Sequence, residues 1–285
     1  MQFTHEEQSN HEKQKGNGNA SETRCLPVGL FLLFLLFLSP SALLHTDRYL
    51  TAWWGYRGKS RLRDPNDRSI NTAMNEEALR HLRREKNFAA LIRRVGPPRL
   101  GIQRQWSPYQ ALMRAIAHQQ LHGRAAEAIL ARFECLYPDG GFPEPEMVLA
   151  SSEDKLRACG FSGSKIAAMR AICAAALDGT VPTRRGSARF SDAELIDRLT
   201  TIRGVGRWTV EMLLIFTLGR PDVLPVDDFG VRDGYRHLYG LEVQPKPKVL
   251  AEIGAAWAPH RSIAAWYLWR ASDEAKKAKV PTSRA

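Results

Sequence analysis

The 285-residue chain reads as an all-α protein. Three observations predict this. Apolar residues recur at helical spacing from about position 76 onward, Ser, Pro and Gly signals punctuate them, and no convincing period-2 run appears. Ala78, Leu79, Leu82, Phe88, Leu91, Ile92 and Val95 predict a first amphipathic helix over 76–95, closed by Gly96-Pro97-Pro98. Ser107-Pro108 supply an N-cap and a first-turn proline for a helix to about Gln119. His122 to Tyr137 predict the next, broken by Pro138-Asp139-Gly140-Gly141. Ser164-Lys165 start a helix through Ala176 that ends near Gly179. Ser191-Asp192-Ala193-Glu194 read as a capping box leading to Leu199. A hairpin over 199–212, a helix over 227–239 and two C-terminal helices complete the set. A helical core of about 210 residues suits one unit or two lobes with a cleft between them.

The stretch from Leu199 to Arg232 carries most of the chemistry. Gly204-Val205-Gly206 sits between two apolar helical runs, and two glycines let backbone approach a ligand with no Cβ in the way. A helix starting near Arg207 turns its free N–H groups outward, which suits a phosphate, and Arg203 and Arg207 add charge. A G-x-G alone is also what an ordinary helical corner uses. Gly219, Pro221 and Pro225 then force a loop to Val226. Val231, Tyr235 and Leu238 recur at helical spacing, so a helix starts at Asp227-Asp228. An aspartate there usually serves as an N-cap, worth about 1 kcal/mol. Two of them beside a phosphate-gripping turn call for more than a cap.

The net charge is +11 and the pI about 9.7. Residues 1–73 hold 9 basic and 7 acidic side chains and the remainder 32 and 23, so +9 of that excess lies from Met74 onward. This suits a polyanionic partner. Cys25, Cys135, Cys159 and Cys173 are scattered, with no C-x-x-C and no Cys/His ligand spacing, so no metal is expected.

From Met74 to Lys276 the chain resembles the 3-methyladenine DNA glycosylase II family, within the helix-hairpin-helix/Gly-Pro-Asp superfamily. Three blocks agree in order. Ala115-Ile116-Ala117-His118-Gln119-Gln120-Leu121 is similar to the family's glutamine loop, the hairpin and aspartate block follows, and Trp257-Ala258-Pro259-His260-Arg261-Ser262 is similar to its W-x-P-x-R-S helix. The resemblance implies a two-lobed helical glycosylase fold with an interlobe cleft, and double-stranded DNA bearing alkylated bases as the partner. It implies a monomer and no cofactor. The N-terminal β-domain of one family member and the iron–sulfur cysteines of other relatives have no counterpart here.

The resemblance also implies roles. Catalysis falls to Asp228, because the family places an apolar and then a basic residue three and four positions later, here Val231 and Arg232. Asp227 would cap the helix or support its neighbour. Gly204, Val205, Gly206, Arg207 and Thr209 would hold the DNA backbone, with Gln119, Gln120 and Leu121 in the glutamine loop. Gln120 or Leu121 would fill the space left by an extruded nucleotide, and Leu121 reads equally well as core. Trp208 stands where relatives that also cut the backbone carry a Schiff-base lysine, so an abasic site should be left intact. Trp208, Trp269 and Tyr109 would form the base pocket. Aromatic faces favour a cationic base by roughly 1–2 kcal/mol when desolvated. The expected reaction is hydrolysis of the N-glycosidic bond of 3-methyladenine and 7-methylguanine. The alternatives are a glycosylase for oxidised or mispaired bases and a non-catalytic hairpin module that only binds DNA.

The leader stands apart. Leu26 to Leu38 is almost purely apolar and would span about 20 Å as a helix, short of a bilayer core of about 30 Å; the run to Leu44 just reaches, with Pro40 as a defect. Glu6, Glu7, Glu12 and Glu22 against Lys13, Lys15 and Arg24 do not make the basic region of a secretory signal. The expectation is that translation begins at Met74 and that the protein is cytoplasmic and nucleoid-associated. Membrane anchoring through 26–44 or organelle targeting is the alternative.

Overall fold

In the computed structural model, residues 75–121, 123–138 and 141–279 are described, and among them every regular element is helical. The expected leader and its apolar run at 26–44 lie outside these residues. No helix among the described residues is long and apolar enough to cross a membrane.

The predicted first helix is two: α1 over 75–82 and α2 over Lys86–Val95. The sequence pattern runs unbroken, but Glu85 turns extended (φ −89°, ψ 127°). Its carboxylate there accepts from the Tyr239 hydroxyl and from Trp257 Nε1, the latter at 2.7 Å. Two distant donors thus override local helix propensity. α3 (Pro108–His118) begins at the expected Ser107, with Gln110 completing a reciprocal capping box. α4 (Gly123–Glu134), α5 (Pro145–Ala150) and α6 (Glu153–Ala158) follow. α7 (Gly163–Leu177) is capped by Ser162 rather than starting at Ser164. After the short α8 (Arg184–Ser187), α9 (Asp192–Thr200) carries the predicted Ser191/Glu194 box.

The hairpin leads into α10 (Arg207–Met212), which widens into a π-helical run over Leu213–Leu218 and stops at left-handed Gly219. A connection to Asp228 precedes α11 (Phe229–Tyr239). Asp222 fixes it by pairing with Arg261 through two bonds of 2.7 and 2.8 Å. α12 (Pro247–Gly254) and α13 (Arg261–Lys279) end the chain.

Two packing groups result. α2, α11 and α13 pack on one another, while α3 packs on α4, α7, α10 and the π run, and α5, α6 and α9 complete that second group. One continuous buried apolar cluster, from Ala78 to Ala271, runs through both. The tightest approach is where α11 crosses α13. A Cβ on Gly234 would lie 1.8 Å from the Leu268 carbonyl oxygen, so only glycine allows these backbones to meet. Asp233 reinforces the crossing by accepting from Ser272 Oγ at 2.7 Å. This crossing brings the start of α11 against Trp269.

Candidate active site

Asp228 is the N-cap of α11, and its Oδ1 accepts from Val231 N at 2.9 Å. The same oxygen accepts from Trp269 Nε1 at 2.9 Å, and Oδ2 accepts from Trp208 Nε1 at 2.7 Å. Three N–H donors from α10, α11 and α13 therefore converge on one carboxylate. Each such bond to a charged group is worth about 1.5–3 kcal/mol, and together they fix its plane. The residue is 5 % exposed. Asp227, expected as the cap, is exposed and does not cap; Asp228 does so itself because its backbone is the extended one that precedes the first turn.

The two tryptophans differ. Trp269 is 1 % exposed, with one face stacked on Phe216 at 5.6 Å between centroids. It supplies an N–H to the carboxylate from behind, not an open face to a base. Trp208 is half-buried and borders the accessible side. Tyr109, the third expected pocket residue, is placed elsewhere. Its hydroxyl donates to the Pro143 carbonyl at 3.2 Å and its ring packs edge-on against Phe142, inside the core that α3 shares with α7. A cavity of about 100 Å³ bordered by Ile102, Pro221, His260 and Ser262 also lies apart from Asp228.

The hairpin is ordered by its glycines in two ways. Gly204 has φ +84°, and a Cβ on it would sit 2.5 Å from Ala168 Cβ of α7. Gly206 has open space around its missing side chain. Gly204, Gly206 and Arg207 are exposed, whereas Val205 and Thr209 are buried. Thr209, expected at the DNA backbone, is the third residue of α10 and has its side chain turned inward. Gln119 Nε2 donates to the Gly204 carbonyl at 3.2 Å, which joins the glutamine loop to the hairpin. Gln120 is exposed and adopts φ +57°, a strained conformation for a residue with a Cβ, while Leu121 packs against the core.

Two residues have a place near the site that the sequence reading did not assign them. Lys165 Nζ donates to the Ala117 carbonyl at 2.9 Å, in the last turn of α3 and within the glutamine-loop block, and burial pushes its amine down to about 8. Glu211, on α10, is 2 % exposed and accepts from Arg207 Nε at 3.0 Å. Burial lifts its carboxyl from the ordinary 4.5 to about 7; Arg207 opposes the rise and the charges of Asp227 and Asp228 add to it. A lone carboxylate within Val210-Glu211-Met212-Leu213-Leu214 was the available signal. Among the described residues no cluster of His, Cys, Asp and Glu could hold a metal.

The profile of the HhH-GPD superfamily of base excision DNA repair proteins matches residues 113–260, the span that holds the glutamine loop, the hairpin and Asp228. The chain belongs to that superfamily. It is 44 % identical over 197 residues to DNA-3-methyladenine glycosylase 1 of Schizosaccharomyces pombe, covering 68 % of this chain and 86 % of the relative. It is 34 % identical over 188 residues to the alkylbase DNA glycosidase-like protein of the same yeast, covering 65 % and 88 %. Among solved structures, the S. pombe 3-methyladenine DNA glycosylase in complex with abasic DNA aligns with a TM-score of 0.63, covering 69 % of this chain and 97 % of that one. DNA-3-methyladenine glycosidase of Bacillus halodurans aligns at the same score and 34 % identity, over 69 % and 89 %. This HhH-GPD chain is accordingly a base-excision glycosylase of the all-helical fold, with no strand among its described residues.

Proposed function

We propose that this glycosylase hydrolyses the N-glycosidic bond of alkylated purines in double-stranded DNA and leaves an abasic site. The observation that carries the reading is the Asp228 carboxylate held by two indole N–H groups and one backbone N–H beside the hairpin. A stacked nucleotide must first be rotated out of the duplex, at a cost of a few kcal/mol. In this reading the exposed turns at Gly204–Arg207 grip the strand and Gln120 or Leu121 fills the gap; the exposure of Gln120 and the packing of Leu121 against the core favour Gln120. The hairpin's positive side chains and open backbone fit a phosphate.

An N3- or N7-alkylated purine is cationic and leaves without needing a proton. The enzyme must then stabilise the oxocarbenium-like sugar, and a carboxylate fixed in advance does this with no reorganisation at the moment of reaction. In this reading the sugar approaches the carboxylate beside the half-buried Trp208, whose Nε1 holds Oδ2. Position 208 offers no amine, so no imine forms there and the strand stays uncut. One copy of the chain in the cytoplasm, acting as a monomer, suffices for this chemistry.

Asp228→Asn keeps the volume and removes the charge. We expect single-turnover release of 3-methyladenine from methylated DNA to fall at least about 100-fold, with DNA affinity retained. Release at the wild-type rate would remove Asp228 from the mechanism, and alkali-independent strand breaks would overturn the monofunctional assignment.

A further inference from the structure

A buried polar atom without a partner calls for a reason. Glu211 Oε2 is buried and has none, while Oε1 is held by Arg207, whose side chain is 58 % exposed. An apolar residue here would pack in the run Val210–Phe216 with no desolvation cost. Glu211 lies one turn along α10 from Trp208, the residue that grips Asp228. The Trp208–Asp228 bond ties α10 to the start of α11, and the charges of Asp227 and Asp228 there add to the rise that burial gives the Glu211 carboxyl.

We propose that Glu211 is a specificity-determining carboxyl of this site: it holds a proton in the free protein and releases it to solvent when a cationic nucleobase or sugar occupies the space beside Asp228. The proposal rests on the reading of Asp228 given above. A positive charge nearby favours the ionised form of an acid. By linkage, a cation that expels the proton is itself bound more tightly once the proton is gone, by the same factor. Neutral bases gain nothing, so positively charged alkylpurines are selected. The balance point near neutrality follows from burial, which lifts the carboxyl to about 7.

The other charged groups on the neighbouring elements meet partners of their own or solvent, and on α11 Asp233 is paired with Arg236. On α3, Arg114 is paired with Glu134 and His118 with Glu127. On α9, Asp192 is paired with Arg220, Glu194 with Ser191, and Arg198 with the carbonyls of Gly179 and Thr180, while Asp197 faces solvent. The π run carries no titratable side chain.

The test compares two duplexes, one with a pyrrolidine abasic analogue, which is cationic, and one with tetrahydrofuran, which is neutral. Their dissociation constants are measured at about pH 6 and about pH 8, on either side of the Glu211 value. For wild type we expect the preference for the pyrrolidine duplex to rise about fivefold between the two, which is what a carboxyl near 7 lowered by one pKa unit on binding gives over that interval. Glu211→Gln should hold its low-pH preference throughout. A flat preference in wild type overturns the proposal without any variant, and so does a rise that persists in Glu211→Gln. If wild type binds neither analogue more tightly than undamaged duplex and releases no 3-methyladenine, the assignment of Asp228 fails, and this proposal with it.

Discussion

The hairpin and the α11–α13 crossing both depend on glycine, and for opposite reasons. At the crossing, Gly234 removes a side chain so that two backbones can meet inside the protein. At the hairpin, Gly206 leaves a space that nothing in the protein fills. The first absence positions Asp228 against Trp269; the second leaves room for something from outside. Gly204 stands between them, with a left-handed backbone and Ala168 pressed against it. Close backbone approach can therefore serve rigidity or reception, and the neighbours of the missing Cβ tell which.

Gly234→Ala should break the comparison most severely. The new methyl would meet backbone, which cannot rotate away, so we expect a stability loss of about 3 kcal/mol or more, read as a fall in urea midpoint. A midpoint within experimental error of wild type would show that the helices separate freely. The tryptophans give the next effect. Trp269→Phe removes a buried N–H and should lower both stability and 3-methyladenine release, the latter by about tenfold or more. Trp208→Phe should lower release with little change in melting temperature, because its ring is half-exposed. Equal thermal shifts for the two variants would contradict the distinction between a rear support and an accessible neighbour. Smallest in stability is Gly206→Ala, with φ −93° and no clash, which should cost under about 1 kcal/mol. Its effect should appear in DNA affinity, weakened about tenfold, whereas Gly204→Ala should lose about 2 kcal/mol of folding stability first. Unchanged DNA affinity in Gly206→Ala would mean that the open space meets no strand.

Local chemistry was legible wherever the signal is short in range. Ser107-Pro108 and Ser191–Glu194 announced their helices, and the hairpin glycines and the aspartate helix fell where their spacing put them. What escaped depends on partners far along the chain. The break at Glu85 exists because Tyr239 and Trp257 donate to it. Tyr109 looked free for a pocket, but Pro143 and Phe142 claim it. Thr209 follows the exposed pair Gly206-Arg207 by two positions and is carried inward by helix geometry. Glu211 paired with Arg207 at a spacing typical of solvent-exposed helix faces, and only the packing around α10 makes it a buried acid. The π run, which brings Phe216 onto Trp269, has no local sequence mark.

The bond from Gln119 to the Gly204 carbonyl, together with Ile116 and Ala168 beneath that glycine, makes one stiff platform of two loops. In the reading proposed above, clamp and probe are in this sense one tool. A phosphate seated on the glycine turn would carry the tip at position 120 along by a fixed offset. How deeply that tip reached between base pairs would then be decided by the seat of the backbone, before any base had been inspected.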